Sequence, residues 1–415
     1  MGVRMETGWR HALSAWTNVE QRHPLAWHVG VLALVAGASS ALLIQLGRLP
    51  SPPGALQWPL VAALVLLALG VGRRVLWNDA ERRLRAAWRL AGFIVLVIWL
   101  HVAAVAAGLP LDGGRLARGS GADVLRLTLT AMSILTIAAL LAVRVLDRRR
   151  VRQLGIVPGP GYWGDLAFGL GLGAGLMTLV FAAELSAGWV TVVGVVHSRA
   201  PDESFAAGAL YMGVAFMAVG FYEEVTDRGY LLRTLAQGFV GRRVPPATAL
   251  VVATLLSSLA FGLGHAGNPH ATLVSSFNIT VTGVMLALPY VLTGSLAASI
   301  GLHASWNFFQ GVVYGFPVSG LTTPAKLLVI EQAGPPLWTG GDFGPEAGLI
   351  DLFVSLLGGT LIVWHERRKR GSAALCVDLV DGSRAVSSPE SATALAGLAP
   401  DDAASNREVG LGQVQ

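Results

Sequence analysis

The feature that most constrains this chain is a succession of long apolar runs that carry almost no charge. A run of about 20 such residues crosses the ~30 Å hydrocarbon layer of a bilayer as a helix. Inside lipid, every backbone N–H and C=O must be bonded within the protein, which leaves only helices and closed barrels. Ten runs can be read, at about residues 25–46, 57–72, 88–109, 126–146, 164–187, 205–222, 246–264, 271–292, 294–316 and 346–364. They predict an all-α fold, a polytopic transmembrane helical bundle. Composition agrees, because only 13% of the 415 residues are charged and 53% are hydrophobic, against about 25% charged in a soluble domain.

Basic residues set the expected orientation. Arg73, Arg74, Arg82, Arg83, Arg85 and Arg89 form one cluster, and Arg144, Arg148, Arg149, Arg150 and Arg152 a second. Arg242 and Arg243 follow, then Arg367, Arg368, Lys369 and Arg370. With ten spans and both termini cytoplasmic, all four clusters fall on the cytoplasmic face, as the positive-inside rule requires. Arg115 and Arg118 are exceptions on the opposite face. The net charge of +5 therefore points to a membrane surface and not to nucleic acid. The single Cys376 excludes an intramolecular disulfide and any Cys-rich metal site. A bacterial plasma membrane is the expected location, since nearly all basic residues are Arg, as in a GC-rich genome. Residues 1–23 are expected to be a cytoplasmic N-terminus, 24–200 N-terminal transmembrane helices, 201–320 a core that carries the polar motifs described below, and 321–370 a loop with the last span. The small and polar segment 371–415 reads as a disordered tail.

Three polar constellations interrupt the apolar pattern in the C-terminal half. The first is Glu223-Glu224-x-x-x-Arg228-Gly229, within FYEEVTDRGYLLRTL. On a helix, Glu224 and Arg228 are four apart and face one another, in the favourable order. Glu223 lies on an adjacent face without that partner, and Asp227 follows it by four residues. Taken alone, such a pair is more often a salt bridge at a span end than a site. The second is Phe261-Gly262-Leu263-Gly264-His265, with His270 in the loop beyond; a lone His at a helix end is weak evidence. The third is His303-Ala304-Ser305-Trp306-Asn307, where two polar residues share one face inside an apolar span. Together they offer a carboxylate, two imidazoles and a carboxamide from three helices. That set can hold a divalent metal or a water for attack on a peptide carbonyl, and Asn307 can donate to the oxyanion that develops.

The motifs EEVTDRG, FGLGH and HASWN, in this order on successive membrane helices, resemble the CPBP family of CAAX prenyl endopeptidases and bacteriocin-processing or Abi-type proteins. The likeness covers about residues 205–316. It implies an intramembrane endopeptidase acting on membrane-associated proteins or peptides, with Glu223 as general base and Glu224 and Arg228 supporting it. It further implies that His265 and His303 hold the catalytic water or metal and that Asn307 stabilises the oxyanion. A metal, zinc in the first place, would be held by Glu223, His265 and His303. Asp227 departs from the family, which commonly has an apolar or aromatic residue there. The alternatives are a non-catalytic membrane scaffold or immunity factor, and a proton-coupled transporter. A geometric tension accompanies the enzyme reading: literal span ends put Glu223 and His265 on opposite faces. It is relieved if the sixth helix continues to about Leu235.

Overall fold

The computed structural model describes residues 76–79, 81–109, 119–241 and 243–380. The first two expected spans, the N-terminus, Arg73, Arg74, Arg115, Arg118, Arg242 and the chain beyond 380 lie outside the described residues. Seven described helices are long and apolar enough to cross a membrane, and the chain is an integral membrane protein. They are α1 (Ala86–Ala106), α2 (Gly121–Leu146), α3 (Pro160–Ser186), α4 (Phe205–Phe239), α5 (Pro246–Gly264), α6 (Leu273–Thr293) and, after the shorter α7 (Ala297–Phe308), α8 (Leu349–Arg370). Helix starts carry the expected signals: Ser120 and Thr272 close capping boxes on α2 and α6, and Pro160 and Pro246 occupy first-turn positions of α3 and α5.

The run at 294–316 is not a span of the ordinary kind. Helix α7 has 12 residues and extends only through a π-helical turn, Phe309–Val313. Every residue from Ala297 to Asn307 is buried, so this helix faces protein on all sides and has no lipid thickness to match. Glycine makes the approach possible. A Cβ on Gly169 of α3 would lie 2.2 Å from the Ala298 carbonyl oxygen, and one on Gly173 would lie 2.3 Å from Ser305 Oγ. Gly220 of α4 packs against Ile300 and Ala304 from another side. Small residues at helix crossings are the usual device for close packing in membranes.

Helix α4 is continuous from Phe205 to Phe239, with a π-helical stretch at Val225–Leu232 directly after the Glu pair. This relieves the geometric tension. At 1.5 Å per residue, Glu223 lies about 24 Å above Phe239, and His265 lies about 28 Å above Pro246, where the next helix begins. The two residues reach the same level from a shared end.

Outside the helices the described chain forms two small antiparallel pairs: β1 (Trp77–Asn78) with β2 (Arg83–Leu84), and β3 (Val190–Ser198) with β4 (Ala325–Gln332). The second joins the α3–α4 connection to the segment after α7, pairing from Val190↔Gln332 to Ser198↔Ala325 with a register shift between Val192 and Gly194. At the other end of the chain, residues 371–380 pack on the bundle, contrary to the expected tail. Cys376 N–H donates to the Val291 carbonyl, and Leu379 is fully buried.

Candidate active site

The site grows from the middle of α4. Glu224, fully buried, accepts from Arg228 Nη1 at 3.0 Å, the contact expected from their spacing. Arg228 is held from two further sides: Nη2 donates to the Gly283 carbonyl at 3.1 Å, and the guanidinium lies 4.3 Å from the Phe261 ring centre. The same Glu224 oxygen lies 2.9 Å from His303 Nδ1. This contact crosses from α4 to α7 and fixes the imidazole, with Nδ1 as donor to the carboxylate. The other nitrogen, Nε2, then faces Glu223 Oε2 at 3.7 Å. That oxygen is buried and has no hydrogen-bond partner among the described residues.

His265 caps the C-terminus of α5, with Nδ1 2.8 Å from the Phe261 carbonyl. Gly262 lets this end of α5 press against α6, since a Cβ there would fall 2.2 Å from Thr280 Oγ1. Phe261 thus packs against three site members, its ring facing Arg228, tilted to His265 and edge-on to His303. It is the F of the FxxxH pattern, and its place in the middle of the cluster accounts for an aromatic residue there.

A cavity of about 510 Å³ opens along these groups, within the usual range for ligand pockets. Glu223, His265, His303 and Asn307 all line it, as does Asp227. Glu224 and Arg228 do not line it; they stand behind as supports. Helix α2 supplies apolar wall through Val124, Leu127 and Ala131, and α3 backs α7. Two helices of the N-terminal region therefore have a role in the site that their sequences did not reveal.

Sequence reasoning missed one cavity group altogether. Glu346, buried in the turn before α8, lines the cavity and accepts from Ser319, at 3.0 Å from Oγ and 2.5 Å from the backbone N–H. Burial pushes its carboxyl up from the ordinary range. Its one available signal was an acid at the start of a span.

The metal expectation meets a different geometry. The ligating atoms of Glu223, His265 and His303 do not all gather within 4.8 Å; among the described residues only Asp165, His365 and Glu366 do. That second group pairs with Lys369 and Arg370, which supply the positive charge an ion would. As arranged, Glu223 and His303 form one close pair, and His265 lines the same cavity.

Helical membrane fold and carboxylate–imidazole cavity together define a polytopic membrane protein with a built polar centre. Residues 205–309, the segment that carries every member of that centre, match the family model described as type II CAAX prenyl endopeptidase Rce1-like. The match covers one quarter of the chain, the part in which the three motifs lie. Neither a curated protein nor a solved structure matches the chain.

Proposed function

We propose that the protein is an intramembrane endopeptidase that hydrolyses a peptide bond of a membrane-associated substrate in this cavity. One observation carries the reading: the unpartnered Glu223 Oε2 and the Glu224-oriented His303 Nε2 face each other across 3.7 Å. A polar contact of that length suits a bridging water. With Nδ1 donating to Glu224, Nε2 is an acceptor, so one water can donate to both groups and aim its lone pair at a substrate carbonyl.

Glu223 takes a proton from that water as the C–O bond forms. Asn307, which lines the same cavity, donates its amide N–H to the developing oxyanion. Glu223 then returns the proton to the departing nitrogen as the C–N bond breaks, which leaves a new amine and a new carboxylic acid whose remaining proton passes to the amine. His265 completes the polar wall. The Rce1-like match favours peptide substrates over ion transport, and no feature favours the scaffold reading. A bacterial plasma membrane is the setting that the composition supports.

The test compares new peptide termini in cells expressing the wild type and Glu223→Ala at matched levels. Termini seen only with the wild type support proteolysis and name the substrate class. Identical sets, with both proteins folded, sink the proposal.

A further inference from the structure

Helix α4 carries a second concentration of charge, near its C-terminal end, that the reaction above does not use. Arg233 and Gln237 stand one turn apart there. Arg83 of the β1–β2 hairpin and Arg89 in the first turn of α1 reach Gln237, and Arg149 after α2 lies close enough to Arg83, Arg89 and Arg233 to feel their charge. All four arginines are between 2% and 7% exposed. Two carboxylates answer them: Asp147 pairs with Arg89, and Glu81 with Arg83. Gln237 Oε1 accepts from Arg89 at 3.1 Å and from Arg83 at 3.5 Å, and Arg233 donates to the Gln153 carbonyl.

These contacts do not use up the donors. Arg83 Nη1, Arg89 Nε, and both Nε and Nη2 of Arg149 and of Arg233 are buried with no partner among the described residues. Among the described residues, two carboxylates pair with members of this group of four cations, and six of its buried N–H-bearing nitrogens have no hydrogen-bond partner. A buried charge without compensation is among the least tolerated features of a folded protein. Burial pushes Arg149 down to about 8; Asp147 opposes the shift, and the neighbouring Arg83, Arg233 and Arg89 add to it. A guanidinium keeps its proton in proteins, so the same force is expressed as a demand for an anion.

We propose that Arg83, Arg89, Arg149 and Arg233 form a binding site for a phosphate-type oxyanion. The number and origin of the donors choose the ligand class. A carboxylate has two oxygens in one plane, whereas a phosphate presents oxygens in several directions to donors arriving from four separate elements. Two sources share that chemistry, the headgroup of an anionic phospholipid and free inorganic phosphate. The arginine pattern places this end of the bundle on the cytoplasmic face, where anionic lipid is abundant. The site does not depend on the proteolytic reading. Its occupant would tie α1, α2 and the lower part of α4 together beneath the cavity.

The test uses the full chain in nanodiscs. One arm measures Tm in phosphatidylcholine as inorganic phosphate is titrated; the other replaces part of the phosphatidylcholine with phosphatidylglycerol in phosphate-free buffer. A rise in Tm in the phosphatidylglycerol arm assigns a lipid headgroup, and a saturable rise with phosphate assigns the free ion. In either case Arg149→Gln and Arg83→Gln are expected to weaken the half-saturating point by about tenfold, one charge-assisted contact's worth. Arg83 lies in a hairpin outside the spanning helices, so its variant carries the test if Arg149→Gln does not fold. Arg126→Gln, at a side chain 72% exposed, controls for general surface charge. The proposal is overturned by a wild type that responds in neither arm, by cluster variants that respond like the wild type, or by an equal loss in Arg126→Gln.

Discussion

One helix carries two charged centres of opposite design. Around Glu224 opposite charges meet within the chain: its Oε1 accepts from both Arg228 and His303, and Phe261 covers the guanidinium, while Oε2 has no partner among the described residues. Near Arg233 the charges do not close, and among the described residues cations outnumber carboxylates with donors left over. A centre in which cation and carboxylate come from the same chain holds its geometry without an outside charge. An open one with excess charge is completed by a ligand. The difference shows that buried charge on a membrane helix is not one kind of signal; its meaning lies in whether its partners come from the same chain.

The comparison is broken or sharpened first at Glu223. Glu223→Gln is expected to lower cleavage by at least ~10³-fold, the range of a lost acid–base group, with Tm nearly unchanged because Glu223 supports no buried arginine. A substrate cleaved at the wild-type rate by this variant would remove Glu223 from the reaction. Glu224→Ala should behave otherwise. It leaves Arg228 buried without its carboxylate, at a cost of about 3–5 kcal/mol, and releases His303, so both apparent stability and activity fall. If only activity fell, this network would not be what holds the two helices in place.

The open centre predicts the opposite sign. In phosphatidylcholine nanodiscs without phosphate, Arg149→Gln removes an uncompensated cation and is expected to raise Tm, whereas Glu224→Ala lowers it. A fall of similar size in both would show that the two centres are alike. The smallest effect is expected at Glu346. Burial holds its carboxyl above the ordinary range, so the folded state binds its proton more tightly than the unfolded state. That favours folding at low pH and is lost as pH rises past the unfolded value, near 4.3. Glu346→Gln keeps an acceptor for Ser319 and should be slightly more stable than the wild type at neutral pH, with the gap closing on acidification. A gap that widened in acid would reverse the assignment.

Much of the site was legible because it rests on local spacing. Glu224 and Arg228 meet as their four-residue separation requires, and His303 and Asn307 share one cavity for the same reason. The contact between Glu224 and His303 was not legible, since it joins residues 79 positions apart on different helices. Glu346 escaped because a single acid before a span is indistinguishable from an interfacial one until the turn is seen folded inward. The strand Val190–Ser198 escaped because a run of valines between spans reads as more of the same apolar pattern.

By itself the sequence determined the membrane-helical class, the approximate spans and the residue types of the centre, because length, hydropathy and helical period are local properties of the chain. Tertiary structure decided that α7 is a buried inner helix, that α4 runs on until Glu223 and His265 share a level, and that four arginines from separate segments meet. Those outcomes depend on which faces touch. In a bundle of uniformly apolar helices, that is settled by glycine contacts and buried polar partners distant in sequence, which no local pattern records.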